Sequence, residues 1–504
     1  MLELEESSYS LNLISDYVQD DDEIVLTKEH KEELEKSFGH KTIGFFGGVS
    51  LLIGNMTGPA MVSTSLVFQQ GGWILSLLGF LVILFTSTLS GLFMVESMAS
   101  IPGNPRFQLR VEFTMLCRFY FGKWGYIIAQ IFINVALQAT NVASIIICAQ
   151  VMDSTLIAIF KKTCGLQMAP HVEWICETSV SADSSPFSGY MFFTIGYLVV
   201  LVIIIPLGFL NLDDNIIVQI IAVILMFTLT TSWIVTFCIH GLEASNLPTV
   251  GTKDGIAQIM GSVMFNYAYI TTLPSWVNES KPTVNIRKAV WLSAGASTFV
   301  FVMVGIFGAL AFANMPITSD ILSVINHHGG NIITKISVYV FPFVVLASSI
   351  PVFSIVVRYN LMQNGLLPKW IANGIAVLLP WLIVIPFLTG NGLNLISNYS
   401  SIFFSSIANF VIPLLIYLKS LQFRRGHKKM TEEQRHILKT LIAETLDWEA
   451  NQHLYTHTGE NHNMFKVFTK LKRNQSKNIA IACLVILGVL IPLVIATTFA
   501  FPGA

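Results

Sequence analysis

The chain has 504 residues, 53% of them hydrophobic and only 12% charged, with a net charge of −1. A soluble globular domain carries roughly 25% charged residues, so a chain that faces water throughout is excluded. A β-barrel is excluded too, because the apolar residues come in blocks near the ~20 needed for a membrane-crossing helix, not in alternating stretches of about ten.

Residues 1–36 hold 12 acids against 3 Lys. This acidic tail, 1–41, has no long apolar run and no basic start, so it is not a cleavable signal peptide. It reads as a disordered or weakly helical cytoplasmic segment. Eleven spans follow, near 43–68, 73–98, 123–150, 189–210, 215–239, 256–278, 289–313, 333–357, 374–390, 394–418 and 478–499. With the N-terminus in the cytoplasm, 25 of the 29 Lys and Arg fall on the inner side. Only Lys161, Lys162, Lys253 and Lys335 fall outside. That asymmetry sets the expected orientation and leaves the C-terminal end, 500–504, outside. Plasma membrane and vacuolar or lysosomal membrane both fit.

The first span contains Gly44, Gly47, Gly48 and Gly54, then Asn55-Met56-Thr57-Gly58-Pro59-Ala60. Pro59 removes a helical N–H and clashes with the preceding turn, and Gly58 lets the chain leave helical angles. A break mid-membrane is expected here. The half-helix from about Ala60 would expose N–H groups that favour an anion such as a carboxylate. In the third span Asn134, Gln138 and Asn141 share one helical face, which fits a cavity lining or interhelical hydrogen bonds. The loop 150–188 lies on the outer side, where Cys164 and Cys176 form a disulfide or stay as two free thiols.

The sixth span carries Phe265-Asn266-Tyr267-Ala268-Tyr269 at its centre and Pro274 near its inner end. Interrupted spans five apart point to two inverted repeats, about 43–239 and 256–418, with a site between them at the midplane. In the eighth span, Ser348 and Ser349 either coordinate Na⁺ together with Gly54 and Thr57 or bond the preceding turn or a neighbouring helix. Glu96, Asp153, Glu243 and Glu279 sit near span ends, and no carboxylate or His lies mid-span. This leans the expected coupling toward Na⁺ or plain facilitation, with H⁺ kept open.

The cytoplasmic loop 419–477 holds Thr431-Glu432-Glu433-Gln434, with capping-box spacing. Ile437, Leu438, Leu441, Ile442 and Leu446 then recur at helical spacing. The flanking basic residues could hold this helix at anionic headgroups, or simply reflect the inner-side bias. No CxxC motif or His/Cys cluster suggests a metal. No catalytic cluster suggests an enzyme, and neither a cofactor nor a nucleic-acid partner is expected. The expected surroundings are the bilayer.

Three stretches resemble the amino acid/auxin permease family of the amino acid–polyamine–organocation superfamily. They are Gly54-Asn55-Met56-Thr57-Gly58 through Gln70-Gly71-Gly72-Trp73, then Phe265-Asn266-Tyr267 with Pro274 and Glu279, and Ile350-Pro351 through Arg358-Tyr359-Asn360-Leu361. The resemblance implies an all-α LeuT-like fold of about eleven helices, a 5+5 inverted repeat, and amino acid transport by alternating access. It places the substrate carboxylate at the Gly58, Pro59, Ala60 and Met61 backbone. It places the amino group near Phe265, Asn266, Tyr267 and Ala268, with Asn55, Thr57 and Asn141 alongside. Tyr269, where the family carries small residues, would narrow the pocket or line a gate. A sensor that keeps this fold but signals instead of transporting is the rival reading.

Overall fold

A computed structural model describes residues 41–179, 185–315, 320–327, 332–363, 367–389, 392–425, 430–443 and 464–500. The acidic tail to residue 40, Leu446 and the end 501–504 lie outside the described residues. The chain opens with α1 (Phe45–Met56), a 3₁₀ turn (Pro59–Ser63) and α2 (Thr64–Gly71). The two halves meet at a 56° bend. Then come α3 (Trp73–Ala99), α4 (Phe113–Phe160), a small sheet, α5 (Ile195–Gly208) and α6 (Ile216–His240). The second half runs α7 (Lys253–Asn266), α8 (Leu273–Glu279), α9 (Ile286–Ala311), α10 (Ile321–His327), α11 (Ile332–Met362) and α12 (Lys369–Phe387). It continues through α13 (Gly392–Ser400), two π turns, α14 (Ile412–Arg425), α15 (Glu432–Ala443) and α16 (Arg473–Ala500).

Among the described residues, eight helices are long and apolar enough to cross a membrane, or nine with the bent pair α1–α2 counted as one. The short apolar α5 and the interrupted α7–α8 stand where the fourth and sixth spans are expected. Apolar side chains such as Leu78, Phe85, Ile128, Val202, Ile224 and Val489 point outward, as lipid-facing residues of such helices do.

Two span limits differ from the sequence reading. The third span continues to Phe160, and the fourth starts at Ile195 because residues before it form a strand. Strands β1 (Thr163–Ala169), β2 (Glu173–Glu177) and β3 (Tyr190–Thr194) make one antiparallel sheet in the order β2-β1-β3. The run Tyr-Met-Phe-Phe-Thr of β3 is rich in strand formers, which composition alone merges with the apolar helix that follows. Thr194 ends the strand and caps α5, its hydroxyl accepting the Tyr197 N–H at 3.1 Å. Cys164 and Cys176 face each other across β1 and β2 and are disulfide-bonded.

Buried Asp153, one turn beyond the expected end of the third span, fastens this sheet to the bundle. Its carboxylate accepts from Thr163 Oγ1 at 2.7 Å, Thr194 Oγ1 at 2.5 Å and Gly196 N–H at 2.9 Å. At the other end of α4, Gly122 takes φ 72°. That is a left-handed elbow that suits glycine, and it separates 113–121 from the span proper.

The expected capping box is present at α15. Gln434 N–H donates to Thr431 Oγ1 at 3.2 Å, and Thr431 N–H donates to Gln434 Oε1 at 3.1 Å. The apolar stripe of this helix packs on the protein: Ile437, Leu438 and Leu441 are buried. Gln434 Nε2 donates to the Phe119 carbonyl at 2.9 Å, and Arg118 lies 3.5 Å from Glu433. The apolar stripe serves the bundle because α4 offers it a dry surface. Glu96 pairs with Arg424 at 3.2 Å and accepts the Val467 N–H at 2.8 Å.

Asp153→Ala strands two hydroxyls and a backbone N–H, each costing about 1–3 kcal/mol when buried without a partner. The thermal midpoint of the purified protein is expected to fall, and Asp153→Asn, which keeps an acceptor, is expected to lower it less. Equal midpoints for wild type and Asp153→Ala would contradict this anchoring role.

Candidate functional site

The break in the first span follows from its sequence. In a continuous helix the Gly58 N–H would serve the Gly54 carbonyl and residue 59 would serve Asn55. Here Gly58 N–H donates to Met56 O at 2.8 Å, and Pro59 has no N–H to give. The Gly54 and Asn55 carbonyls therefore lose their helical donors. Side chains close the turn: Thr57 Oγ1 donates to Ile53 O and Thr64 Oγ1 to Met61 O, both at 2.8 Å. Of the backbone N–H groups expected to meet a carboxylate, Gly58 is so engaged and Met61 donates to Gly58 O at 3.1 Å. The Ala60 N–H is the one that no described carbonyl takes.

Gly58 itself has φ −79° and ψ −164°, an extended conformation open to any residue. Its glycine is explained by space, not by angle. Gly58 is buried, yet a Cβ added there would meet no atom within 4 Å. A buried backbone position that looks onto open space marks a cavity at the break.

The sixth span breaks opposite. The helical run α7 stops at Asn266, residues 267–269 form a turn, and Ile270–Thr272 is 3₁₀ before α8 begins. Thr271 N–H, which a continuous helix would aim at the Tyr267 carbonyl, donates instead to Asn409 Oδ1 at 3.0 Å. Asn409 lies in the π turn Ile407–Val411. Thr272 Oγ1 donates to the Tyr269 carbonyl at 2.7 Å and accepts from Asn55 Nδ2 at 2.8 Å. That last bond joins the two breaks directly.

Both ends of this pair are closed. At one end Ile43 N–H donates to Glu279 O at 3.1 Å and Lys281 N–H to Ile43 O at 2.9 Å. Gly48 there leaves no room for a side chain against Trp276, whose indole would lie 2.5 Å from an added Cβ. A buried polar lattice extends this seal. Glu112 accepts from Ser275 Oγ at 2.5 Å and Asn278 Nδ2 at 2.9 Å, and Arg110 lies 3.7 Å from Glu279. Arg358 donates to the carbonyls of Phe209 at 3.1 Å and Leu210 at 2.6 Å, just past α5. At the opposite end Gly251 N–H donates to Gly71 O at 3.2 Å and Thr252 N–H to Gln70 O at 2.9 Å. The breaks are thus enclosed from both sides.

Two of the expected site positions meet a third residue in a small apolar cluster apart from the main core. Ala60 from the first break, Phe265 from α7 and Ala143 from α4 pack together, with Leu393 and Ile396 of α13 against them. Beside them stand polar groups left open. The side-chain carbonyl oxygens of Asn55, Asn141 and Asn266 are buried and accept no hydrogen bond within the protein. Asn141 Nδ2 donates to Ser354 Oγ at 3.2 Å, and Gln138 Nε2 to the Ile375 carbonyl at 2.8 Å. Two of the three members of the third-span stripe therefore bond across helices, whereas the third, Asn134, donates within its own helix to Gln130 O at 2.7 Å.

The two tyrosines turn away. Tyr267 packs on Phe80 and Phe301 and shares a hydrogen bond with Thr298. Tyr269 is fully buried with its hydroxyl beside Gly91 of α3, so it fills a helix interface. Ala268 stays at the break, nearly buried. The Ser348 and Ser349 hydroxyls donate to the preceding turn, to Val345 O at 3.1 Å and Leu346 O at 2.8 Å. Sequence reasoning missed Thr272, Asn409, Ala143 and Gln219. The last is a single Gln in an otherwise apolar stretch of the fifth span, a signal visible but not followed.

The family profile described as transmembrane amino acid transporter protein matches residues 41–494. No curated relative matches. The chain is similar to a nucleobase-cation-symport-1 family transporter solved in a closed conformation with bromovinylhydantoin bound. That likeness has 11% identity and a TM-score of 0.52, covering 88% of this chain and 98% of the other. It is also similar, at 12% identity and a TM-score of 0.45, to a manganese transporter of Eremococcus coleocola, over 91% of this chain and 95% of the other.

Gly58→Val fills the open space at the break while keeping an accessible backbone conformation. We expect substrate uptake to fall by at least roughly tenfold, about 1.4 kcal/mol, with the thermal midpoint unchanged. Unaltered uptake would contradict a cavity at this position.

Proposed function

We propose that this chain, which belongs to the transmembrane amino acid transporter protein family, carries neutral amino acids with apolar side chains across a membrane by alternating access. It is a multi-pass membrane protein with a transporter fold, and that much is its premise. The reading rests on one observation: two broken helices face each other around buried, unpaired polar groups beside an apolar cluster.

The chemistry suits a zwitterion. The Ala60 N–H, at the start of the second half-helix, offers a donor and the positive end of a helix dipole to a carboxylate. The Asn55, Asn266 and Asn141 side-chain oxygens and the freed Tyr267 carbonyl offer acceptors to an ammonium group, which has three donors and no acceptor. An unpaired buried acceptor costs about 1–3 kcal/mol, so a bound ammonium recovers energy that the empty site forgoes. Ala60, Ala143, Phe265, Leu393 and Ile396 present only apolar surface to the substrate side chain.

Alternating access then needs the two end seals to open in turn. The seal built on Ile43, Gly48, Glu112 and Arg358 is assigned to the cytoplasmic side, and that at Gly71–Thr252 to the opposite side. The distribution of Lys and Arg supports this orientation, as does the Cys164–Cys176 disulfide in a loop on the oxidising side.

Purified protein in lipid vesicles, assayed against a panel of labelled amino acids, tests the reading. Saturable uptake of neutral apolar amino acids is expected, and Phe265→Ala is expected to shift preference toward bulkier side chains. Saturable binding with no flux would instead identify a sensor.

A further inference from the structure

Two carboxylates are buried where the first and sixth spans are sealed on the cytoplasmic side, and they are served unequally. Glu112 accepts from Ser275 Oγ at 2.5 Å and Asn278 Nδ2 at 2.9 Å. Glu279, the last residue of α8, is fully buried, yet neither of its carboxylate oxygens has a hydrogen-bond partner among the described residues. Its backbone is nonetheless fixed. The Glu279 carbonyl accepts the Ile43 N–H at 3.1 Å, and Lys281 N–H donates to Ile43 O at 2.9 Å. An unserved acid thus sits on the residue that ties the start of the first span to the end of the sixth.

The charged and titratable groups facing Glu279 come from three other segments. Arg110, ahead of α4, lies 3.7 Å away, beyond hydrogen-bond distance. Arg358 of α11 gives its N–H groups to the Phe209 and Leu210 carbonyls and to Asn211 Oδ1. The Tyr359 hydroxyl is turned to Asn211 Oδ1 at 3.4 Å and accepts the Leu212 N–H at 3.3 Å. Glu112, and Asp213 between α5 and α6, are two further acids acting on Glu279, and any charge they carry opposes one there. A buried carboxylate without donors is costly to keep ionised. A proton on Glu279 removes that cost and the like-charge repulsion, while Arg110 keeps Glu112 as a counter-ion.

We propose that Glu279 is a proton-binding site of the cytoplasmic seal: the closed seal holds the proton as Glu279–COOH, and opening admits water, leaves Glu279–COO⁻ and releases the proton to the cytoplasm. Closing reverses the step and takes a proton back from the same side. This rests on the transporter reading above and on its orientation.

The test follows opening itself. Ser280 is buried beside Glu279. Ser280→Cys is labelled from the cytoplasmic face with a membrane-impermeant maleimide, alone and together with Glu279→Gln, and the native cysteines of the unsubstituted chain give the blank. Dividing one rate by the other at each pH cancels the pH dependence of the reagent. Opening that releases a proton becomes easier as pH rises. The labelling rate with Glu279 present should therefore climb relative to that with Gln, by up to about tenfold per unit between about pH 5.5 and 7.5. A ratio that stays constant over this window would overturn the proposal. Arg110→Gln on the Ser280→Cys background gives a second arm that stands even if Glu279→Gln does not fold. Without the cation at 3.7 Å, the closed seal should keep its proton to higher pH, so labelling at about pH 7.5 should fall. Faster labelling of this variant at every pH would mean that ionised Glu279 latches the seal through Arg110, which also overturns the proposal. Labelling needs no flux: a chain that moves no amino acid would refute the transporter reading, and the labelling rates would still decide the role of Glu279.

Discussion

Inside a bilayer no water is at hand for a backbone polar group, and each one left unpaired costs several kcal/mol. This structure breaks two helices at membrane depth under that constraint. The breaks survive because side chains take over the lost helical bonds. Thr57 and Thr64 close the first, Thr272 and Asn409 close the second, and Asn55 to Thr272 couples them. Among the described residues they leave open the Ala60 N–H, several carbonyls, the Thr271 hydroxyl, and the side-chain oxygens of Asn55, Asn141, Asn266 and Gln219. Those residual groups are the chemistry on which the proposed site rests.

The rest of the molecule serves to keep that remnant dry and aligned. Spans one and six are tied at both ends by backbone bonds. The Glu112–Ser275–Asn278 lattice and Arg358 lock the neighbouring helix ends on one side. Buried polar lattices of this kind hold well only when nearly every member is satisfied, which makes them natural points for a two-state seal. α15 and the segment around Val467 brace the same side from below. Asp153 ties the disulfide-bonded sheet to the opposite ends of α4 and α5.

Much of this could be read from residue order. Gly58-Pro59 announces a break because both residues act on the local backbone, and the Thr431–Gln434 box is equally local. The second break was visible in the polar run Asn266 to Tyr269. Side-chain direction was not visible. Tyr267 and Tyr269 lie in the broken turn, where helical periodicity no longer says which way a side chain points, and tertiary packing turned both into helix interfaces. Gln219 and Asn409 belong to no local motif, and their roles depend on partners more than 100 residues away. The strand at 190–194 was hidden because its aromatic residues suit a sheet and a membrane helix alike.

The central claim is that the two breaks together hold an amino acid. Its most direct measurement is an experimental structure with a saturating neutral amino acid bound. The account predicts the carboxylate at the Ala60 N–H, the ammonium among Asn55, Asn266 and the Tyr267 carbonyl, and the side chain against Ala143 and Phe265. Density for the ligand elsewhere, or first and sixth spans that run as unbroken helices, would contradict it.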